Sequence, residues 1–132
     1  MSLRHSKVVL ALALVLAVSA SACGGEDDPV DATDRSDLIT RGQDAFEANC
    51  ATCHGEDLEG TKTGPPFLDP IYAPDHHPDE AFYAAVENGV QPHHWDFGPM
   101  PPQPAVSVEK VGQIVAYVRA QQEEAGIIEP QP

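Results

Sequence analysis

The feature that most constrains this chain is the hexapeptide CATCHG at residues 50–55, in which two cysteines three positions apart are followed at once by a histidine. Three kinds of site use such a pair: a zinc knuckle, a dithiol–disulfide centre and a thioether-linked haem. A zinc knuckle lacks its second cysteine pair here. Histidines could complete it, but His54 beside the pair is awkward for a tetrahedral site. A redox dithiol lies beside a β-α-β pattern, which the sequence does not show.

Covalent haem attachment fits the spacing, and C-x-x-C-H is its signature. Cysteines at positions i and i+3 project from one helical turn, so the thiols of Cys50 and Cys53 can reach the two vinyl groups on one haem edge. His54 then lies beneath the ring with its imidazole directed at iron. We therefore predict one covalent haem c, with Cys50 and Cys53 as anchors and His54 as an axial ligand.

The second axial ligand is predicted to be Met100, the only methionine besides the initiator, in the stiff segment GPMPP. A thioether opposite histidine raises the reduction potential and suits electron transfer. Two alternatives remain: a histidine from the pairs His76-His77 or His93-His94, and an open sixth position.

The amino-terminal residues 1–22 have the layout of a secretory signal peptide, with Arg4 and Lys7 before the apolar run Val8–Val18. The run is short for a permanent membrane span. The segment ASAC resembles a bacterial lipobox, which would leave Cys23 lipidated, although ASA also fits ordinary A-x-A cleavage. We favour lipidation, because a free terminal thiol is a liability in an oxidising compartment.

The mature chain is predicted to divide into three parts. Residues 23–36 form an acidic flexible tether, 37–125 a folded domain and 126–132 a short tail. Apolar spacing predicts helices over 36–53, 78–88 and 107–124, joined by long proline-rich loops. Ser36 or Asp37 is expected to cap the first helix and Ser107 the third. With no strand pair in the sequence, the predicted class is all-α.

The charge is strongly acidic, with 7 lysines and arginines against 21 aspartates and glutamates and a net charge of −14. This balance argues against nucleic acid as a partner, because phosphate binding requires basic side chains. In general, such a charge keeps a protein soluble. The more specific hypothesis is that the acidic surface docks with a basic partner.

Several motifs together resemble the class I cytochromes c, small monohaem electron-transfer proteins, over about residues 38–121. Gly42, Phe46 and Cys50 are spaced as in that family's amino-terminal helix, and CATCHG is its haem motif. GPPF is similar to its G-P-x-L/F segment, and AAVENGV to its middle helix. GPMPP resembles its axial methionine loop, and IVAYVRA its final helix.

The resemblance implies a cytochrome c fold with three main helices around haem. It implies that the carbonyl of Pro65 receives the ring N–H of His54, and that Tyr117 packs near Gly42. A place near a haem propionate is suggested for Trp95. The histidine pairs depart from the family pattern and are interpreted as solvated loops or a surface metal site.

The resulting prediction is an electron-transfer protein, not an enzyme, that carries one electron on a His/Met-ligated haem c. It would lie outside the cytoplasm, at the outer face of the cytoplasmic membrane, anchored through lipidated Cys23. Its partners would be membrane-bound redox proteins, such as a terminal oxidase or dehydrogenase, with a basic docking surface. The alternatives are a haem subunit of a larger respiratory or oxidoreductase complex, an open sixth site, and a soluble secreted or periplasmic protein.

Overall fold

The computed structural model describes residues 32–130 and contains four α-helices in that range. They are α1 (Ala32–Asn49), α2 (Ala51–His54), α3 (Asp79–Asn88) and α4 (Val108–Glu124), with a 3-10 turn at Pro70–Tyr72. The described residues contain no β-strand, only one isolated antiparallel bridge between Val90 and Met100. The predicted all-α class is confirmed.

The predicted signal peptide, Cys23 and most of the predicted tether lie outside the described residues. Within residues 32–130, no helix is both long enough and apolar enough to cross a membrane.

Helix α1 begins at Ala32, within the stretch predicted as tether, so the expectation that Ser36 or Asp37 caps it was wrong. The physical reason is a tertiary contact. Arg35 donates to both carboxylate oxygens of Glu123 on α4, at 2.8 and 3.0 Å. This pair holds the additional amino-terminal turn against the partner helix, which local sequence signals alone could not indicate.

The first predicted helix also does not continue unbroken to Cys53. It is interrupted at Cys50, whose φ of −121° and ψ of −33° depart from helical geometry. The preceding Asn49 turns its side-chain amide back to the carbonyl of Ala45 at 2.6 Å, and such local bonds compete with the backbone ladder. The C-x-x-C-H motif therefore forms its own short turn, α2, after a break in α1.

The ends of α3 and α4 agree with the sequence signals. Gly89 ends α3 with a φ of +72°, a conformation that glycine adopts without steric cost. The Ser107 hydroxyl accepts a hydrogen bond from the Lys110 backbone N–H at 3.3 Å and caps α4.

The core lies where α1 crosses α4. A Cβ atom added to Gly42 would clash with the Gln113 carbonyl and would lie 2.9 Å from Cβ of Tyr117. The Phe46 side chain is fully buried, and its ring centroid lies 5.7 Å from that of Tyr117. The crossing therefore requires glycine at position 42, and it fixes the helix that leads directly into the haem motif.

We expect Gly42→Val to lower the free energy of unfolding by about 1–3 kcal/mol, because a side chain there overpacks the crossing. Chemical denaturation followed by circular dichroism measures this change. The matched control is Gly112→Ala, also in a helix, where the new Cβ meets only the Tyr83 hydroxyl at 3.0 Å. Helix propensity favours alanine there by up to about 1 kcal/mol, so equal losses in both variants would contradict the close-crossing explanation.

Candidate haem site

The two motif cysteines lie on one turn of backbone. The N–H groups of Cys53 and His54 both bond to the Cys50 carbonyl, at 3.1 and 3.0 Å. Cys50 is half-buried and Cys53 is exposed, and neither is in a disulfide. Burial, followed by the nearby Cys53, raises the pKa of Cys50 to about 11. In a redox-active dithiol the pKa of the attacking cysteine is lowered instead. The raised pKa of Cys50 therefore does not fit a disulfide-exchange centre.

The imidazole of His54 is buried, with 8 % of the residue exposed, and is held on two sides. Its Nδ1 lies 3.0 Å from the carbonyl oxygen of Pro65. Because a carbonyl only accepts, Nδ1 carries the proton and Nε2 keeps a lone pair for a metal. The Phe67 ring stacks on the imidazole, with centroids 4.3 Å apart and planes within 16°.

Burial lowers the pKa of His54, and the hydrogen bond to Pro65 partly offsets that effect. The imidazole is therefore neutral at physiological pH, since its ordinary pKa is already about 6.5. A neutral ring with a fixed tautomer is the form that ligates iron.

The loop after the motif closes onto the carbonyl groups that end α2. The Thr61 hydroxyl donates to the Cys53 carbonyl at 2.6 Å, and the Gly60 N–H donates to the His54 carbonyl at 2.7 Å. A Cβ on Gly64 would lie 2.9 Å from the Cys53 carbonyl carbon. These contacts satisfy carbonyls that a helix end leaves unpaired, and they bring Pro65 to His54.

Met100 lies in a separate loop whose backbone is anchored to the end of α3. It exchanges two hydrogen bonds with Val90, at 2.9 and 3.0 Å, and its side chain is half-buried. A Cβ on Gly89 would lie 2.5 Å from the Met100 carbonyl oxygen, so glycine permits this approach. Beyond the loop, the Gln103 N–H bonds to the Val86 carbonyl at 2.7 Å. The backbone at Met100 is thus fixed, while its role as an iron ligand stays a prediction.

Residues 37–118 match the family model described as cytochrome c oxidase, cbb3-type, subunit III. This match spans more than half of the chain and includes the whole haem motif. The chain belongs to this family of c-type cytochromes. No curated protein and no solved structure matches it.

Membership confirms the predicted cytochrome c resemblance and the cofactor, covalently bound haem c. Cytochromes of this family are electron carriers or oxidase subunits, and a c-type domain of this kind serves haem-based electron transfer outside the cytoplasm. The described residues fit the cofactor: two thiols outside any disulfide on one helical turn, then a buried imidazole with its Nε2 lone pair available.

One group of residues in this cytochrome was missed by sequence reasoning. Arg119 on α4 is buried, with 6 % exposed. It donates to the carbonyls of Tyr72 and His77 at 2.6 and 2.7 Å. It also donates to the Asp79 carboxylate at 2.8 Å and to the Gln122 amide oxygen at 2.7 Å. The sequence did contain a sign that Arg119 is buried. It lies four residues after Val115 and therefore on the apolar face of α4.

Gln122 extends this arrangement to the haem motif. It is fully buried, and its amide donates to the Phe67 carbonyl at 2.8 Å and to the Tyr72 carbonyl at 3.2 Å. Because the Phe67 ring stacks on His54, α4 supports that imidazole through one intermediate residue.

The loop tryptophan lies against Tyr72, with centroids 6.0 Å apart and planes within 11°. Burial, followed by Asp69, raises the pKa of Tyr72 to about 12, so its hydroxyl is neutral throughout the physiological range. The predicted place of Trp95 near a haem propionate stays a prediction.

We expect Arg119→Lys to lower the free energy of unfolding by about 1–3 kcal/mol, because an ammonium cannot reproduce the guanidinium fork and leaves buried acceptors unpaired. Denaturant titration of the haem-loaded protein measures this loss. The control is Arg41→Lys, whose pair with Asp37 is exposed on both sides and is worth at most about 1 kcal/mol. A loss at position 119 no larger than at position 41 would show that the buried contacts contribute little.

Proposed function

We propose that this cytochrome is a lipid-anchored one-electron carrier in which Cys50 and Cys53 hold haem c through thioether bonds, and His54 and Met100 ligate its iron. The observation that carries the proposal is the buried His54 ring, oriented by the Pro65 carbonyl at 3.0 Å directly after the cysteine pair. When bound, haem c supplies the ferric–ferrous couple that takes up and releases one electron.

The protein's part in this function is to keep the ligands still. The Pro65 carbonyl and the Phe67 ring restrict rotation of the His54 imidazole, and the carbonyl raises its basicity toward iron. On the methionine side, prolines flank Met100, and its backbone bonds to Val90 at both N–H and carbonyl. Ligands held in this way change position little when the charge on iron changes, which favours rapid electron exchange.

We expect the oxidised protein to show the methionine-to-iron charge-transfer band, and Met100→Ala to abolish it and to lower the reduction potential. The physical reason is that a thioether opposite histidine stabilises ferrous iron. Visible absorption spectroscopy and a redox titration of the purified protein measure both changes.

The controls for this experiment address a histidine as sixth ligand. His77→Gln and His93→Gln remove one member of each loop pair, and both variants should keep the band. Absence of the band from the unchanged protein would contradict methionine ligation and favour the open-site or bis-histidine alternatives.

The family description supports a terminal oxidase as the electron acceptor, because the matched model is that of an oxidase subunit. The net charge of −14 further supports a basic docking surface on that partner. Contacts of this kind are screened by salt. A second candidate function, favoured by the same description, is that of a permanent haem subunit within an oxidase complex.

Replacement of Cys23 by serine distinguishes these arrangements. A carrier held only by lipid should move from the membrane fraction to the soluble fraction, because lipidation requires the cysteine thiol. Fractionation with detection of covalent haem follows the change, and Ser21→Ala, which leaves the cysteine in place, is the control that should remain in membranes. Retention of the Cys23→Ser variant together with oxidase activity would support the permanent subunit instead.

A further inference from the structure

Two pairs of histidines from different loops converge on one surface of the domain. His76 and His77 follow the 3-10 turn, and His93 and His94 precede Trp95. The Nε2 atoms of His76 and His94 lie 3.4 Å apart. One ring nitrogen from each of His76, His77 and His94 lies within 4.8 Å of those of the other two. We refer to these three residues as the histidine cluster.

The His77 ring has a hydrogen bond of the kind that metal-binding histidines make. Its Nδ1 lies 2.7 Å from the Ile71 carbonyl oxygen, so Nδ1 carries the proton and Nε2 carries the lone pair. The neighbouring His93 has the same arrangement, with Nδ1 3.0 Å from the Gln91 carbonyl oxygen. Metal-binding histidines use this second hydrogen bond to fix tautomer and ring direction.

The spacing points to a particular geometry. Zinc–nitrogen bonds of about 2.0–2.1 Å at tetrahedral angles place two ligand nitrogens about 3.4 Å apart. The separation of His76 and His94 matches this value.

We propose that His76, His77 and His94 form a surface binding site for Zn²⁺, separate from the haem. Three neutral imidazoles are a ligand set that zinc accepts, and the fourth position is left for water or His93. The longer separations within the cluster exceed the tetrahedral value by up to about 1.4 Å, so binding draws the rings together. Exposure of His76 gives the ring room for that movement.

Zinc at this position would add a link between two loops that already lie against each other through their side-chain rings. His76 and His77 belong to the segment that Arg119 holds through the His77 carbonyl. His94 lies six residues before Met100, in the loop whose Trp95 stacks on Tyr72. The ion would therefore restrain the methionine loop from its outer side.

Isothermal titration of Zn²⁺ into the haem-loaded full-length protein tests the site. We expect binding of one ion, with affinity reduced at least about tenfold in both His76→Gln and His94→Gln. Asp75→Asn is the matched control, since it removes a charge beside His76 without removing a ligand. Mg²⁺ is the control ion, because imidazoles bind it poorly. Unchanged zinc affinity in both histidine variants, or equal binding of Mg²⁺, would overturn the proposal and indicate general attraction of cations to the acidic chain.

Nuclear magnetic resonance of the reduced, diamagnetic protein gives the position of the ion. Zinc should shift backbone amide signals of the non-proline residues in 71–77 and 91–95, and the shifts should disappear in His94→Gln. Shifts centred on any other part of the chain would overturn the proposal. Because the calorimetric titration does not depend on the sixth iron ligand, failure of this site and failure of methionine ligation can be told apart.

Discussion

The buried guanidinium of Arg119 lies where α4, the start of α3 and the loop before α3 meet, and that loop depends on it. Much of the chain between the helices has no regular secondary structure, so its backbone groups cannot be satisfied by a ladder of their own. Arg119 supplies donors to the carbonyls of Tyr72 and His77, and its charge is balanced by Asp79 at the start of α3. Its guanidinium also lies over the Phe82 ring, 5.1 Å from the centroid, which adds a cation–π contact.

From this junction a series of contacts continues to His54, the proposed iron ligand. Arg119 bonds to Gln122, Gln122 bonds to the Phe67 carbonyl, and the Phe67 ring stacks on His54. Helix α1 also leads to His54 along the chain, since α2, which ends at His54, follows α1 after a single residue. The glycine crossing at position 42 sets the distance between α1 and α4. Both routes to His54 therefore depend on how closely these two helices pack.

The sequence predicted the parts of this structure that local chemistry determines. The C-x-x-C-H motif, the Ser107 cap and the approximate bounds of α3 and α4 were all predictable, because each depends on a few neighbouring residues. The start of α1 was not predictable, because its first turn is held by Arg35 against Glu123, 88 positions away. Arg119 was missed for a related reason: a charged side chain is ordinarily solvated, and only the fold shows how many carbonyls surround it.

The two sides of the proposed iron site are held by different means. On the histidine side, a buried ring is fixed by a hydrogen bond, a stacked aromatic and the side chains of α4. On the methionine side, the described contacts are with backbone: the bridge to Val90, the close approach of Gly89 and the flanking prolines. A thioether is a weak, neutral ligand, so its hold on iron depends on how tightly its loop is kept in place. Zinc at the histidine cluster would add a restraint on this less strongly supported side, without contact with the haem itself.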